Sequence, residues 1–429
     1  MNPIVLPIGR QGRLIYLNTD RFKSELLAVS FTAPLAVETA QQNAMVMALA
    51  RRGTAGYPGL ASLNRRLDEL YSTAISTSNR RTGDMQTLGF AADFLGARYV
   101  GGGLGLLPEV TDMLAELLCR PLFDERGCFT ASFVESEKQN LRDAIRAAIH
   151  NPRGYAISAC RKLLCAGEPY ALSVIGSEDT VDALTPEGLA ARYRELVSSI
   201  APVFSYVGST PAAEVAALLE ARFSDFGGTP APYTASVHGG SGLAEKVEEM
   251  PLMQGKLSLG FRTDVSLSHP LAPAMLYLNE IFGGSPASKL FLNVRERMSL
   301  CYHCSSSLDL YKGILFANSG MKVENRAVAE EAMLQQLADI KAGRISDTEL
   351  LAARRSIEHS YRQSGDNPGV LARFYTGRIL AGNGETVEEW QARLDRVTLP
   401  DIVEAAAHVA HRATFFLKGT KTGEEDEEE

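Results

Sequence analysis

"KSELLAVSFTA", residues 23–33, alternates apolar and polar side chains with the period of two expected of a half-buried strand. The pattern returns 230 residues later as "MQGKLSLGFRT", 253–263. Ala44-Met45 precedes Gly53, and at the same offset Ala274-Met275 precedes Gly283-Gly284. "HNPRGYA" (150–156) parallels "DNPGVLA" (366–372) at an offset of 216, and "DALTPEGLAARYRE" (182–195) parallels "RVTLPDIVEAAAHV" (396–409) at 214. Each copy closes on an apolar strand, "APVFSYVGS" and "ATFFLKGT". The order is constant and the offset drifts as loop deletions would make it drift, so the chain reads as two copies of one plan.

Between the copies, "FGGTPAPYTASVHGGSG" (226–242) has linker composition. The expected division is a first domain over 1–226, a linker over 227–246, a second domain over 247–422 and an acidic tail over 423–429. Each half mixes strands with long amphipathic helices such as "LPEVTDMLAELLCRPLF" and "NRAVAEEAMLQQLADIKAG". That mixture predicts an α+β fold, each domain a mixed, mostly antiparallel sheet with helices packed on one face.

Composition excludes several classes. A chain of 429 residues is comfortable for two domains of about 200. No apolar run approaches the roughly 20 residues of a membrane span, and "MNPIVLPIGRQGR" lacks a signal-peptide pattern, so a cytoplasmic protein is expected. Six of the acids behind the net charge of −8 sit in the terminal "GEEDEEE", which leaves a near-neutral body without a basic stripe for nucleic acid. Six cysteines in a chain this long read as reduced thiols, mostly buried. The C-x-x-C pair Cys301 and Cys304 falls in strand-like sequence, which would point the two thiols to opposite faces and separate them.

"AMVMALARRGTAGYP" (44–58) reads as a helix ending at a Gly-Thr turn and a Tyr-Pro loop, with no histidine, glutamate, aspartate or cysteine on it. "GGSPASKLFLNVRERMSLCYHCSSSLDLYKG" (283–313) follows a Gly-rich turn with Ser-x-Leu-Phe, an Arg-Glu and a Leu-x-Tyr. With the duplicated plan, these two stretches and "FVESEKQNLRDAI" (133–145) resemble the pitrilysin/insulinase-type metallopeptidases, the inverzincins, over nearly the whole chain. The detail of "LDELYSTAIST" and "SLCYHCSSSLD" resembles a bacterial YfmF (YmfF)-type subgroup regarded as non-catalytic. The resemblance implies the mitochondrial-processing-peptidase-like fold, association with a catalytic relative and a link to elongation factor P modification.

The family's chemistry needs H-x-x-E-H on one helix, two histidines for zinc and a glutamate to activate the bound water, with a later glutamate as third ligand. Counting back from Gly53 places those motif positions on Ala44, Met47 and Ala48, and the third-ligand position on Ala144. None can bind zinc, and the first histidine anywhere is His150. No cofactor is therefore expected. "RSIEH" (355–359) offers Glu358 and His359 but has Arg355 where a first histidine is needed. Glu404, His408 and His411 fall at i, i+4 and i+7, one face of a continuous helix, and form a weaker alternative zinc site; the plainer reading is a polar surface face. "GGSPASKL" and "VGGGLGLLPE" miss the spacings that cradle phosphate and read as turns.

What the resemblance retains is the second-half peptide grip. It implies that Arg295 and Tyr302 hold a peptide, the one through a planar fork of donors and the other through a phenolic hydroxyl. Gly283 and Gly284 would let peptide backbone approach closely, although the loop is shorter than the Gly-rich loop of non-catalytic processing-peptidase subunits. The plainer alternative pairs Arg295 with Glu296 or Asp309 and packs Tyr302 in the core. The leading expectation is a catalytically inactive homologue that binds a peptide or unfolded segment and pairs with a homologous catalytic subunit, or with itself. A structural or regulatory scaffold and an unorthodox zinc hydrolase stay open beside it.

Overall fold

The computed structural model describes residues 2–101, 105–230, 233 and 242–421. The acidic tail and linker residues 231–232 and 234–241 lie outside the described residues. The chain divides into two compact units, and neither is a continuous stretch. Unit 1 comprises Met1–Ile145, Leu172–Thr234 and Gln363–Glu388, and unit 2 comprises Arg146–Ala171, Ala235–Arg362 and Glu389–Glu429. The contiguous division expected from sequence thus differs from the folded one in two segments, each of which folds with the other half.

In unit 1 the strands β1 (Ile4–Ile8), β2 (Gly12–Asn18), β3 (Ser24–Pro34), β4 (Ala74–Thr82), β5 (Met85–Leu95) and β6 (Val203–Gly208) form one sheet in the order β1-β2-β6-β3-β5-β4. One face carries the main core, where Leu27, Val29 and Phe31 of β3 meet residues of α1 (Val37–Ala50), α2 (Leu60–Glu69), α3 (Leu107–Cys119), α6 (Pro186–Ser199) and α7 (Ala212–Phe223). Val134 and Leu141 of α4 (Ala131–Ile149) join it. The "half-buried" β3 is buried on both sides. Its alternate residue Leu26, with Ile15, Leu17 and Val207, is covered by Leu371, Ala372 and Tyr375 of α11 (Pro368–Leu380).

Unit 2 repeats the arrangement. Its strands β7 (Ala244–Met250), β8 (Gly255–Arg262), β9 (His303–Asp309), β10 (Ile314–Met321) and β11 (Ala410–Gly419) take the order β7-β11-β8-β10-β9. Position by position this matches β2-β6-β3-β5-β4, including the parallel pairs β2/β6 and β7/β11 in otherwise antiparallel sheets. Strand β7 begins inside the stretch expected to be linker. The helices α8 (Ala272–Asn279), α9 (Arg326–Lys341), α10 (Asp347–Ser364), α12 (Val387–Asp395) and α13 (Leu399–Ala407) follow in order. On the opposite face, Ala156, Cys160 and Leu164 of α5 (Pro152–Leu164) pack on Ile314, Phe316, Phe415 and Leu417.

The repeated Asn-Pro motifs start these two exchanged helices. Asn151 accepts a hydrogen bond from Gly154 N at 3.1 Å and Asn367 from Val370 N at 3.0 Å, each followed by proline at the first helical position. The segment after α5 is tied into unit 2 by charge. Glu168 pairs with Lys312 at 2.7 Å and with Arg262, all three side chains being nearly inaccessible. Among the described residues no helix is long and apolar enough to cross a membrane.

Candidate functional site

Helix α1 ends where the sequence places its end. Thr54 N donates to Tyr57 O and Tyr57 N to Thr54 Oγ1, both at 3.0 Å, and a Cβ on Gly53 would stand 2.4 Å from Gly59 N. Of the three motif positions, Met47 is 1% exposed in the core, whereas Ala44 and Ala48 stand half-buried one turn apart on a common face. Behind that face a polar network holds the helix. Asn43 donates to Gln86 Oε1 and accepts from Arg192 Nε, both at 2.8 Å, and Gln86 donates to Asn79 Oδ1 at 2.8 Å. Beyond the C-terminus of α1, Arg52 forms an ion pair with Glu137 of α4. Ala144 lies exposed on α4, seven residues further on. Two methyl groups and a buried thioether do not fit a zinc ion, so no hydrolytic step is derived through one.

The alternative zinc site does not form as the spacing suggested. Helix α13 stops at Ala407 and His408 is its C-terminal cap, while His411 already belongs to β11. Val409, between the helix and the strand, is buried. Glu404 is exposed, His408 faces the His269 ring at 5.8 Å, and His411 Nε2 engages Ala413 O at 3.1 Å and Thr414 Oγ1 at 3.0 Å. In "RSIEH", Arg355 and His359 are exposed on α10.

The second-half stretch 283–313 folds through two wide helical turns, Glu280–Gly284 and Leu290–Arg297, into β9. Gly283 is buried, and a Cβ there would stand 2.5 Å from Ser306 N, so the backbone it admits is the chain's own strand; Gly284 is exposed. Arg295 lies over the Phe291 ring at 4.6 Å with Glu296 at 3.6 Å, so the local ion pair does occur. Asp309 instead accepts from Tyr170 at 2.5 Å. Tyr302 is 52% exposed and not part of a core. Arg295, Ser299, Cys301, Tyr302, Lys322 and Asn325 line a cavity of about 550 Å³.

The cysteine reading needs correction. Cys301 precedes β9 instead of lying on it, and both thiols are buried and influence one another's protonation. The neighbouring Cys304 thiol, with help from Ser319 and Arg295 against the cost of burial, lowers the Cys301 thiol to about 7, while the Cys301 thiol and burial push Cys304 up. Spacing on an ideal strand missed this because the strand begins at His303.

Paired sheets of one topology, an exchanged helix on each, and a helix without zinc-ligand side chains define a class of protein: the metallopeptidase-like fold. The family profile described as "Peptidase M16 inactive domain" matches residues 183–357. The "Probable inactive metalloprotease YmfF" of Bacillus subtilis is 29% identical over 407 residues, covering 94% of this chain and 95% of that protein. A conserved protein from Enterococcus faecalis V583 superimposes with a TM-score of 0.89 at 26% identity, over 99% of this chain and 100% of its own. A peptidase M16 inactive domain from Pseudomonas fluorescens shares the fold, with a TM-score of 0.81 at 17% identity over 98% and 99%. Residues 183–357 thus match an M16 inactive-domain profile, and over nearly its whole length the chain is similar to an inactive metallopeptidase homologue.

Proposed function

We propose that this chain is a cytoplasmic peptide-binding subunit that pairs with a zinc-bearing relative. The observation that supports this reading is the contrast between α1, which offers methyl groups where ligands are needed, and the cavity lined by half-buried Arg295 and exposed Tyr302. An exposed ion pair such as Arg295–Glu296 contributes at most about 1 kcal/mol, so a peptide carbonyl or carboxylate can displace it. Tyr302 stands exposed immediately before edge strand β9, and a peptide added along a sheet edge is held chiefly by main-chain hydrogen bonds.

The test is reconstitution. The purified chain alone cleaves no peptide; mixed with a homologue carrying an intact H-x-x-E-H motif, it forms a complex with raised peptidase activity. Arg295→Ala lowers peptide affinity about ten- to hundredfold, the value of a charge-assisted hydrogen bond. A complex with no affinity for peptide would instead mark a scaffold subunit. Zinc measured in the purified chain is substoichiometric and unchanged by His408→Ala; stoichiometric zinc lost in that variant would refute the silent-subunit reading. The subgroup resemblance supports the further proposal of a link to elongation factor P modification. Deleting the gene should then change the intact mass of that factor, and an unchanged mass would remove the link.

A further inference from the structure

One face of the unit 2 sheet gathers positive charge that no carboxylate answers. The register of β8, β10 and β9 sets Lys256, Gly320 and His303 in one row. A Cβ on Gly320 would stand 2.6 Å from His303 Cε1 and 3.1 Å from Lys256 Nζ, so the ring and the ammonium close over the glycine. Two residues along β9, on the same face, Ser305 Oγ accepts from Arg153 Nη2 at 3.0 Å. Arg153 lies in the first turn of α5, which brings the positive end of that helix's dipole to the row.

The partners of these groups are neutral. Lys256 donates to Gln254 Oε1 at 2.9 Å, Arg153 to Ser305, and neither forms an ion pair among the described residues. His303 Nε2 is buried with no hydrogen-bond partner among them, an uncommon condition in native proteins. Burial first, then Arg153, Lys256 and Arg295, hold the His303 imidazole down at about 4, and burial and Arg153 lower Lys256. Three neighbouring basic groups, two of them held less protonated by burial and by their basic neighbours, are a site short of a counter-charge.

We propose that Arg153, Lys256 and His303 form an oxyanion-binding site that takes a carboxylate or phosphate group. The guanidinium supplies a planar fork of donors and the ammonium a point charge, and Gly320, having no side chain, lets the His303 ring and the Lys256 ammonium come together over the sheet. Arrival of the anion reverses the repulsion on His303, which takes up a proton and becomes a third donor. The site does not depend on a catalytic partner, so it can be tested on this chain alone.

The full chain, labelled with ¹³C in its histidine rings, is titrated with inorganic phosphate at constant ionic strength, the His303 signal being assigned by its loss in His303→Gln. The expected result is a saturable shift of that signal and a rise in its pKa. Arg153→Gln and Lys256→Gln should each weaken binding about tenfold or more without changing the circular dichroism spectrum. A second arm compares a short peptide with a free C-terminal carboxylate against its amide. Tighter binding than phosphate, lost on amidation, assigns the site to a peptide carboxylate; saturable phosphate binding without that difference assigns it to a free anion. No saturable shift with either probe, or the same shift in both Gln variants, overturns the proposal.

Discussion

At the scale of single residues, the three positions of the family's zinc motif differ in what they would tolerate. Ala44 and Ala48 are half-buried and can accept histidine, but Met47 sits in the core at 1% exposure. Met47→Glu should therefore destabilise the fold by at least ~3 kcal/mol, read from denaturant midpoints, whereas Ala44→His and Ala48→His stay near neutral. His303 carries a pH signature. Its folded pKa of about 4 lies below the ordinary 6.5, so between those values the unfolded chain binds the proton and the folded chain does not. Stability is thus full above 6.5 and falls as pH drops toward 4, and His303→Gln should flatten the melting-temperature profile across that window. Alkylation of Cys301 should rise with a midpoint near pH 7, and Cys304→Ala, which removes the neighbouring thiol that lowers it, should move that midpoint upward.

At the scale of elements, the sequence was legible where a local rule settles the matter. The Asn-Pro motifs begin α5 and α11, the Gly-Thr turn ends α1, and the alternating stretches are β3 and β8. The burial of those strands was not legible, because the second cover on each sheet comes from a helix remote in sequence. Local rules also failed at the edges of elements. His411 left its helix and Cys301 stood outside its strand, since packing of neighbours such as Val409 decides where a periodic pattern stops. Removing either cap, Asn151→Ala or Asn367→Ala, should cost about 1 kcal/mol. Glu168→Gln, which takes away the carboxylate shared by Arg262 and Lys312, should cost about 3–5 kcal/mol, measured by chemical denaturation.

At the scale of the whole molecule, the two halves of the gene are not the two folded units. Residues 1–230 expressed alone lack α11 and leave Ile15, Leu17, Leu26 and Val207 uncovered; residues 242–421 alone lack α5 and leave Ile314, Phe316, Phe415 and Leu417 uncovered. Each half should aggregate or bind a hydrophobic dye, and co-expression of both should restore soluble protein. Independent, soluble, cooperatively folding halves would contradict the exchange.

The sequence by itself determined the duplication, the α+β class and the absence of zinc ligands on α1, because each follows from residue type and period along the chain. It also singled out Arg295 and Tyr302, through resemblance and not through geometry. Only the tertiary structure decided which half each exchanged helix joins, that Gly283 admits the chain's own strand, and that Cys301 lies outside β9. It alone assembled Arg153, Lys256 and His303, which lie on α5, β8 and β9. Long-range strand register and helix docking bring such groups together, and neither leaves a periodic mark in the sequence.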